Sequence, residues 1–355
     1  MAIPEKIQTW QMVEPGKLEK TSIDVPELQP GEVLVEVAGC GVCHTDVGYF
    51  FDGVPTVSKP PLTLGHEVSG RIVAGDEKLI GKEVIVPAVM PCNNCEICAS
   101  GRGNRCLKQK MPGNSMGIYG GFATHIPVPS EDLCFIEDRK GVPLENFAVV
   151  ADAITSPYQA AKRADLQEGD HVVIIGATGG LGVYMTQIAA AMGAKEVIAI
   201  ARNKEKLERS LKYGATYALS TLDKSTKDIR NDYRAYCKEK KLPGYGWKIF
   251  ECTGSKMGQE IALELLSFVG KMIVVGYGMH KVEYMLSRLM AFDAEIIGTW
   301  GCLPKYYNDV LKMVLDGKIQ VEPFIEMRPM SQIEEAFKDS HSGRLMRRVV
   351  LTPDF

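Results

Sequence analysis

The chain has 355 residues, and at roughly 150 residues per domain that length predicts about two domains. Hydrophobic residues make up 45% and charged ones 24%, a globular composition that excludes a disordered or fibrous chain. Lys+Arg 41 against Asp+Glu 44 leaves a formal charge of −3, so no global field draws the chain to nucleic acid or anionic lipid.

No apolar run reaches the about 18 residues that a membrane span needs. The N-terminal MAIPEKIQTW carries charge and proline where a secretory leader needs an apolar stretch. A soluble cytoplasmic protein is expected, with neither a membrane nor a nucleic-acid partner.

Residues 1–150 are rich in Gly and Pro and hold short β-branched runs at 32–37, 68–73 and 83–86. Gly or Pro bounds each run, which predicts short strands in a mostly β domain. The character changes near residue 165. HVVII at 171–175 reads as a buried strand entering GATGGLG at 176–182. Beyond it Leu181, Tyr184, Met185, Ile188 and Met192 recur at helical spacing, with Gly193 as a C-terminal cap. A strand at 197–200, a charged helix at 204–213, a strand near 248–250, a helix from Met257 and a strand at 272–275 follow. Strands alternating with helices predict a doubly wound parallel sheet. The helical stretch 305–316 and a closing strand at 347–351 carry no second nucleotide motif. The expected division is therefore 1–155, 156–300, and a tail 301–355 that returns to the first domain.

Four of the ten cysteines crowd into one stretch, Cys92, Cys95, Cys98 and Cys106, spaced C-x2-C-x2-C-x7-C. Disulfide scaffolds are short secreted chains with dispersed cysteines, so clustered thiols here read as metal ligands. Four thiolates close a tetrahedron around Zn²⁺ and leave no place for substrate, which predicts a structural zinc lobe at about 90–110. An iron–sulfur cluster is the chemical competitor.

The glycine motif follows a predicted strand and opens a helix, the setting that a dinucleotide site requires. Glycines let the backbone approach a pyrophosphate, and the helix amino end supplies N–H donors and partial positive charge. The candidate contacts are Gly176, Gly179, Gly180, Leu181 and Gly182. An NAD site would show Asp or Glu about 20 residues on, to hold the ribose 2′-hydroxyl. Ala201, Arg202 and Asn203 stand there instead. Arg202 suits a 2′-phosphate, which leans the residues towards NADP; stacking on adenine and plain solvation are the alternatives.

GCGVCHTD at 39–46, GHE at 65–67, the four-cysteine loop, Gly120-Gly121-Phe122 and GATGGLG occur in one order. In that order they resemble the zinc-dependent medium-chain alcohol dehydrogenases over nearly the whole chain. The resemblance implies a GroES-like, mostly β catalytic domain and a Rossmann domain, an α/β architecture with a catalytic zinc in the cleft. It implies Cys43 and His66 as zinc ligands, Glu67 as a carboxylate able to approach the metal, and Asp152 as third ligand. Asp152 as the cap of the following helix is the alternative. One thiolate, one carboxylate and a neutral imidazole balance Zn²⁺, and a carboxylate in place of thiolate makes a stronger Lewis acid.

The resemblance further implies Thr45 as the hydroxyl that accepts the alcohol proton and Asp46 as the carboxylate that orients the ligating imidazole. It puts His44 and Arg347 on the pyrophosphate. Many members carry a relay His where this chain has Gly48, which leaves proton export to water or makes it less important.

Stretches from Trp10, Gly48 and Cys92 resemble one branch of the family, which oxidises an alicyclic alcohol carried on a CoA thioester during anaerobic aromatic degradation. That implies two zincs per chain, NAD as coenzyme and a ring hydroxyl taken to a conjugated ketone. With Gly48 in the relay position, hydride addition to a conjugated enoyl-CoA is a further expectation. Lys108, Lys110 and Arg288 are candidate CoA contacts not distinguishable from surface charge. An NADP-dependent secondary or aromatic alcohol dehydrogenase is the competing enzyme, and a zinc-bearing protein without catalysis ranks below it. A homo-oligomer is expected, dimer or tetramer, with residues 272–275 and 295–299 as a candidate joining edge.

Overall fold

An extended run that alternates apolar and polar residues buries one face, and a run apolar throughout becomes an interior strand. Both kinds occur here. The computed structural model describes residues 4–355; residues 1–3, the start of the stretch read for a leader, lie outside the described residues. Two compact units form. The first comprises the chain through Thr155 with Gly301–Leu315 and Val321–Phe355, and the second Ser156–Trp300 with Asp316–Gln320.

The first unit opens with β1 (Lys6–Glu14) and β2 (Lys17–Asp24), an antiparallel hairpin in which Ile7, Thr9 and Gln11 turn inward at period two. Next come β3 (Glu32–Gly41), α1 (His44–Phe51), β4 (Leu62–Thr63), β5 (Glu67–Ala74) and β6 (Glu83–Val86). The short α2 (Glu96–Ala99) follows, then β7 (His125–Pro129) and β8 (Cys134–Ile136). Val33, Val35 and Val37 of β3 pack with Val68, Ile72, Val84 and Phe122 in the core of this unit.

The chain passes through α3 (Thr155–Arg163) into β9 (His171–Ile175), α4 (Gly182–Ala191), β10 (Glu196–Ala201), α5 (Lys204–Ser210) and β11 (Tyr217–Ser220). Then come α6 (Thr226–Glu239), β12 (Lys248–Glu251), α7 (Lys256–Leu265), β13 (Lys271–Val274), α8 (Leu286–Phe292) and β14 (Glu295–Gly298). The six strands form one parallel sheet in the order β11-β10-β9-β12-β13-β14. The chain winds outward from β9 to β11 and resumes at β12 on the other side of β9. The topological switch point, where open sheets of this kind bind ligands at their carboxyl ends, therefore lies between β9 and β12.

Back in the first unit, α9 (Tyr307–Leu315), β15 (Ile325–Pro329), α10 (Ile333–His341) and β16 (Arg348–Thr352) complete the chain. The larger sheet there runs β15-β16-β3-β5-β6-β8 with β7 on β3, and a smaller one runs β2-β1-β4. The tail is not continuous with the first unit. Asp316–Gln320 groups with the second because Gln187 of α4 accepts from Gln320 N at 2.7 Å and donates to Gln320 O at 3.3 Å. Two elements differ from the sequence expectation. The charged helix ends at Ser210 and tightens into a 3₁₀ turn at Leu211–Tyr213 before Gly214, whose φ is +108°. The 14-residue α6 buries only Ile229, Tyr233 and Cys237, a stripe too narrow to stand out in a polar sequence. Among the described residues, no helix is long and apolar enough to cross a membrane.

Candidate active site and coenzyme loop

Strand β3 ends at Gly41, and two residues later Cys43 sits at the N-cap position of α1 with an extended backbone. That sharp strand-to-helix turn is held by Asp46, whose carboxylate accepts from Cys43 N at 3.1 Å and from Gly65 N at 2.9 Å. Gly65 leads into His66 and Glu67, and Glu67 begins β5. One fully buried carboxylate thus fixes both loops that carry candidate ligands. Asp152 lies in the turn ahead of α3, where Tyr307 donates to the preceding Ala151 carbonyl at 2.5 Å and Thr155 donates to the same oxygen at 3.0 Å.

These elements bring Cys43, His66, Glu67 and Asp152 together, with one ligand atom from each within 4.8 Å of the others. Asp152 Oδ2 stands 3.8 Å from Cys43 Sγ and 3.7 Å from His66 Nε2. A tetrahedral metal with bonds of ~2.0–2.3 Å has donor–donor edges of ~3.3–3.8 Å, so the residues present fit zinc. His66 Nδ1 lies 3.3 Å from Asp46 Oδ1, which turns Nε2 toward the other donors. Burial opposes a charge on His66, but Asp46, Cys43 and Asp152 outweigh it and hold its pKa well above the usual value. Thr45 Oγ1 is 3.6 Å from Cys43 Sγ, at the rim of the donor set.

Glu67 is different. Both of its oxygens are engaged by Arg348, at 2.7 Å from Nε and 2.5 Å from Nη2. Burial pushes the Glu67 pKa up, Arg348 pulls it back and Asp152 adds to the rise, leaving it at about 7. Arg347, which the resemblance puts on the pyrophosphate, is exposed, and its neighbour Arg348, which the sequence does not single out, is the one that meets Glu67. His44 is exposed in the first turn of α1. At Gly48 a Cβ would stand 3.4 Å from Val54 Cγ2 and 3.9 Å from Asp52 Oδ2, so packing alone does not demand a glycine.

The second cluster is Cys92, Cys95, Cys98 and Cys106 around α2. Their sulfurs are spaced 3.4 to 4.0 Å apart, close to the ~3.8 Å edge of a four-thiolate zinc tetrahedron. Hydrogen bonding with the Cys98 backbone and side chain draws Cys95 down to about 6, while burial and the bond with Cys95 push Cys98 up to about 11.

In the second unit, GATGGLG joins β9 to α4 as expected of a phosphate-binding turn. Gly176 has φ +82°, and a Cβ on Gly182 would stand 2.1 Å from the Gly176 carbonyl, so both positions require glycine. Gly179 and Gly180 are exposed ahead of Leu181, the N-cap of α4. At the end of β10, Arg202 is exposed and Asn203 caps α5 by accepting from Lys206 N at 2.9 Å. Of the basic residues considered for CoA, Lys110 pairs with Glu32 at 2.7 Å, Arg288 pairs with Glu264 at 3.1 Å, and Lys108 is exposed.

Residues 29–138 match the alcohol dehydrogenase GroES-like domain, and residues 180–316 match the zinc-binding dehydrogenase family. Among curated relatives, an NAD-dependent alcohol dehydrogenase of Sulfolobus acidocaldarius is 29% identical over 351 residues, covering 95% of this chain and 96% of its own. A sorbitol dehydrogenase of Bombyx mori is 28% identical over 342 residues, covering 92% and 93%. Galactitol-1-phosphate dehydrogenase from Escherichia coli has a similar structure, with a TM-score of 0.85 at 25% identity over 98% of this chain and 100% of that one.

Proposed function

We propose a specific reaction for this chain on the premise that it belongs to the zinc-dependent medium-chain alcohol dehydrogenase family. It is an NAD(P)-dependent oxidoreductase that interconverts an alcohol and a carbonyl compound. The observation that carries the site assignment is the triangle of Cys43 Sγ, His66 Nε2 and Asp152 Oδ2, with Glu67 beside it drawn off by Arg348. Zinc held there supplies Lewis acidity that makes a substrate hydroxyl proton easier to remove, and the dinucleotide supplies the hydride acceptor. Thr45 Oγ1 relays that proton, accepting it while passing its own hydroxyl proton on to water or the coenzyme ribose. Asp46 keeps His66 facing the metal position, and Arg348 keeps Glu67 engaged so that three donors rather than four close on it. The four-cysteine lobe holds a second, structural zinc.

The substrate we propose is the ring alcohol of 6-hydroxycyclohex-1-ene-1-carbonyl-CoA, oxidised by NAD to the conjugated ketone. Three stretches, from Trp10, Gly48 and Cys92, resemble the dehydrogenase for that thioester and support the choice. Where Gly48 removes the usual relay side chain, the same site run with reduced coenzyme moves its hydride to the β-carbon of a conjugated enoyl thioester, while water supplies the α-carbon proton and the oxidised coenzyme is left. One observation favours a second reading: the end of β10 offers Arg202 and no carboxylate, which suits NADP and a simple secondary or aromatic alcohol. Initial rates with each coenzyme on the CoA ester and on CoA-free alcohols decide between them. The primary reading expects the thioester with NAD to lead in kcat/KM by about a hundredfold or more, equivalent to a few kcal/mol of binding to the carrier. Equal or better turnover of CoA-free alcohols with NADP would replace it.

We further propose that the chain pairs through the open edge of its parallel sheet. Glu295 and Ile296 of β14 are exposed there, and Met285, Leu286 and Met290 leave a neighbouring apolar patch in water. Sedimentation of wild-type protein against an Ile296→Lys variant tests this, since a charge on the edge should release monomer.

A further inference from the structure

Glu251 is the last residue of β12, next to the switch point, and its side chain is fully buried. No ion pair reaches it among the described residues. Its carboxylate instead accepts from Thr253 N at 2.7 Å, from the Thr253 hydroxyl, and from Gly254 N at 3.2 Å. Gly258 N donates to Ser255 Oγ, the N-cap of α7, while Ser255 N donates to Thr253 Oγ1 at 2.9 Å. The Thr253 hydroxyl donates to Glu251 and lies 2.9 Å from Ser255 Oγ. Burial pushes the Glu251 pKa up, and the Thr253 and Gly254 donors, with the partial positive charge at the amino end of α7, work against it and favour the anion.

The same residue joins three loops. Its backbone carbonyl accepts from Val275 N and Gly276 N, both at 2.9 Å, at the end of β13. Gly254, which its carboxylate holds, has φ +65°, and a Cβ there would stand 2.0 Å from the Tyr277 carbonyl. Thr253 Cγ2 lies 2.5 Å from where Gly176, the first glycine of the phosphate turn, would carry a Cβ. A dinucleotide whose pyrophosphate sits on the turn after β9 places its adenosine ribose at the end of β10. Its other half must then extend to the opposite side of β9, over the ends of β12 and β13.

We propose that Glu251 is a positioning residue for the nicotinamide half of the coenzyme. Its buried carboxylate locks the loops after β9, β12 and β13 into one surface and sets a fixed negative charge beneath a ring that is cationic only when oxidised. The site therefore favours the oxidised coenzyme over the reduced one. This rests on dinucleotide binding alone and stands whichever alcohol is the substrate.

The test is calorimetric titration of the full, zinc-loaded chain with NAD⁺ and, separately, NADH, comparing wild type with Glu251→Gln. Loss of the charge and of an acceptor should raise the Kd for NAD⁺ about tenfold and that for NADH about threefold, moving their ratio about threefold. Thr253→Val keeps the charge and removes one donor, so it should weaken both forms alike and leave the ratio unchanged. Wild-type affinities in Glu251→Gln, or equal weakening of both forms, would overturn the proposal. Should Glu251→Gln fail to fold, Thr253→Val decides: matched loosening supports the role, and unchanged binding of both forms removes it.

Discussion

Arg348 closes on Glu67 from 281 residues away in sequence, and the two form a buried ion pair with side-chain exposures of 8% and 0%. The strands explain how. Glu67 begins β5 directly opposite Gly41 of β3, and Gly41 is opposite Val350 of β16. A Cβ on Gly41 would stand 2.0 Å from Glu67 Oε2, so only glycine leaves the carboxylate room to meet the guanidinium. Two hydrogen bonds in parallel satisfy both partners, which a buried charge requires.

Removing one partner should therefore be worse than removing both. Arg348→Met leaves a carboxylate buried without its cation and should cost about 3–5 kcal/mol. Adding Glu67→Gln to it should recover more than half of that loss. Urea melts of the metal-loaded proteins measure both, and a double variant no more stable than Arg348→Met would mean the pair is not the source.

The Arg348–Glu67 pair shows what the sequence could and could not reveal. Motifs that close over a few residues, such as the phosphate turn and the four cysteines, were readable because their chemistry is local. The ion pair was not, since its partners meet only through the pairing of β16 with β3 and β3 with β5. Asp152 was singled out through resemblance, whereas the bond from Tyr307 to its neighbour Ala151 comes from a tail helix expected in the first domain but with no local pattern to say what it would touch. Glu251 reads in sequence as one more acid after a short strand. Only the packed loops reveal it as a buried acceptor.

Asp46 offers a cleaner test of site geometry than the ligands themselves. It touches Cys43 N, Gly65 N and His66 Nδ1, and no metal position. Asp46→Asn preserves its volume but weakens its grip on all three. Metal affinity of the Cys43 site should fall about 10–100-fold, as is usual for a residue that orients a ligand. Competition with a chromophoric chelator reads this directly, and an unchanged affinity would show that the two loops hold themselves.

Cys106 separates the two metal positions. It is the fully buried member of the four-cysteine cluster, 3.4 Å from Cys92 and 3.8 Å from Cys95. Cys106→Ser should take metal content from two per chain to one and lower stability on the order of 4 kcal/mol, as loss of a metal cross-link does. The Cys43 donor set should keep its metal. Elemental analysis with limited proteolysis of residues 92–106 checks both, and loss of both metals at once would contradict separate roles.

Arg202 is the side chain on which the coenzyme choice turns. It follows Ala201, the final residue of β10, where a carboxylate would bind the two ribose hydroxyls of NAD and repel the 2′-phosphate of NADP. Without that carboxylate the protein cannot exclude NADP by repulsion, so preference for NAD has to come from elsewhere along the dinucleotide. If NAD is the working coenzyme and Arg202 is solvated, Arg202→Ala should change its Kd by less than about threefold, within the range of a surface substitution. The same substitution should weaken NADP by about tenfold or more, because a phosphate would lose a charge-assisted contact. Replacing Ala201 with Asp should act the other way, tightening NAD through the ribose and expelling NADP. Fluorescence titration of the reduced coenzymes measures each affinity. An Arg202→Ala variant that loses NAD as severely as NADP would place the guanidinium on the adenine ring, a contact the two coenzymes share.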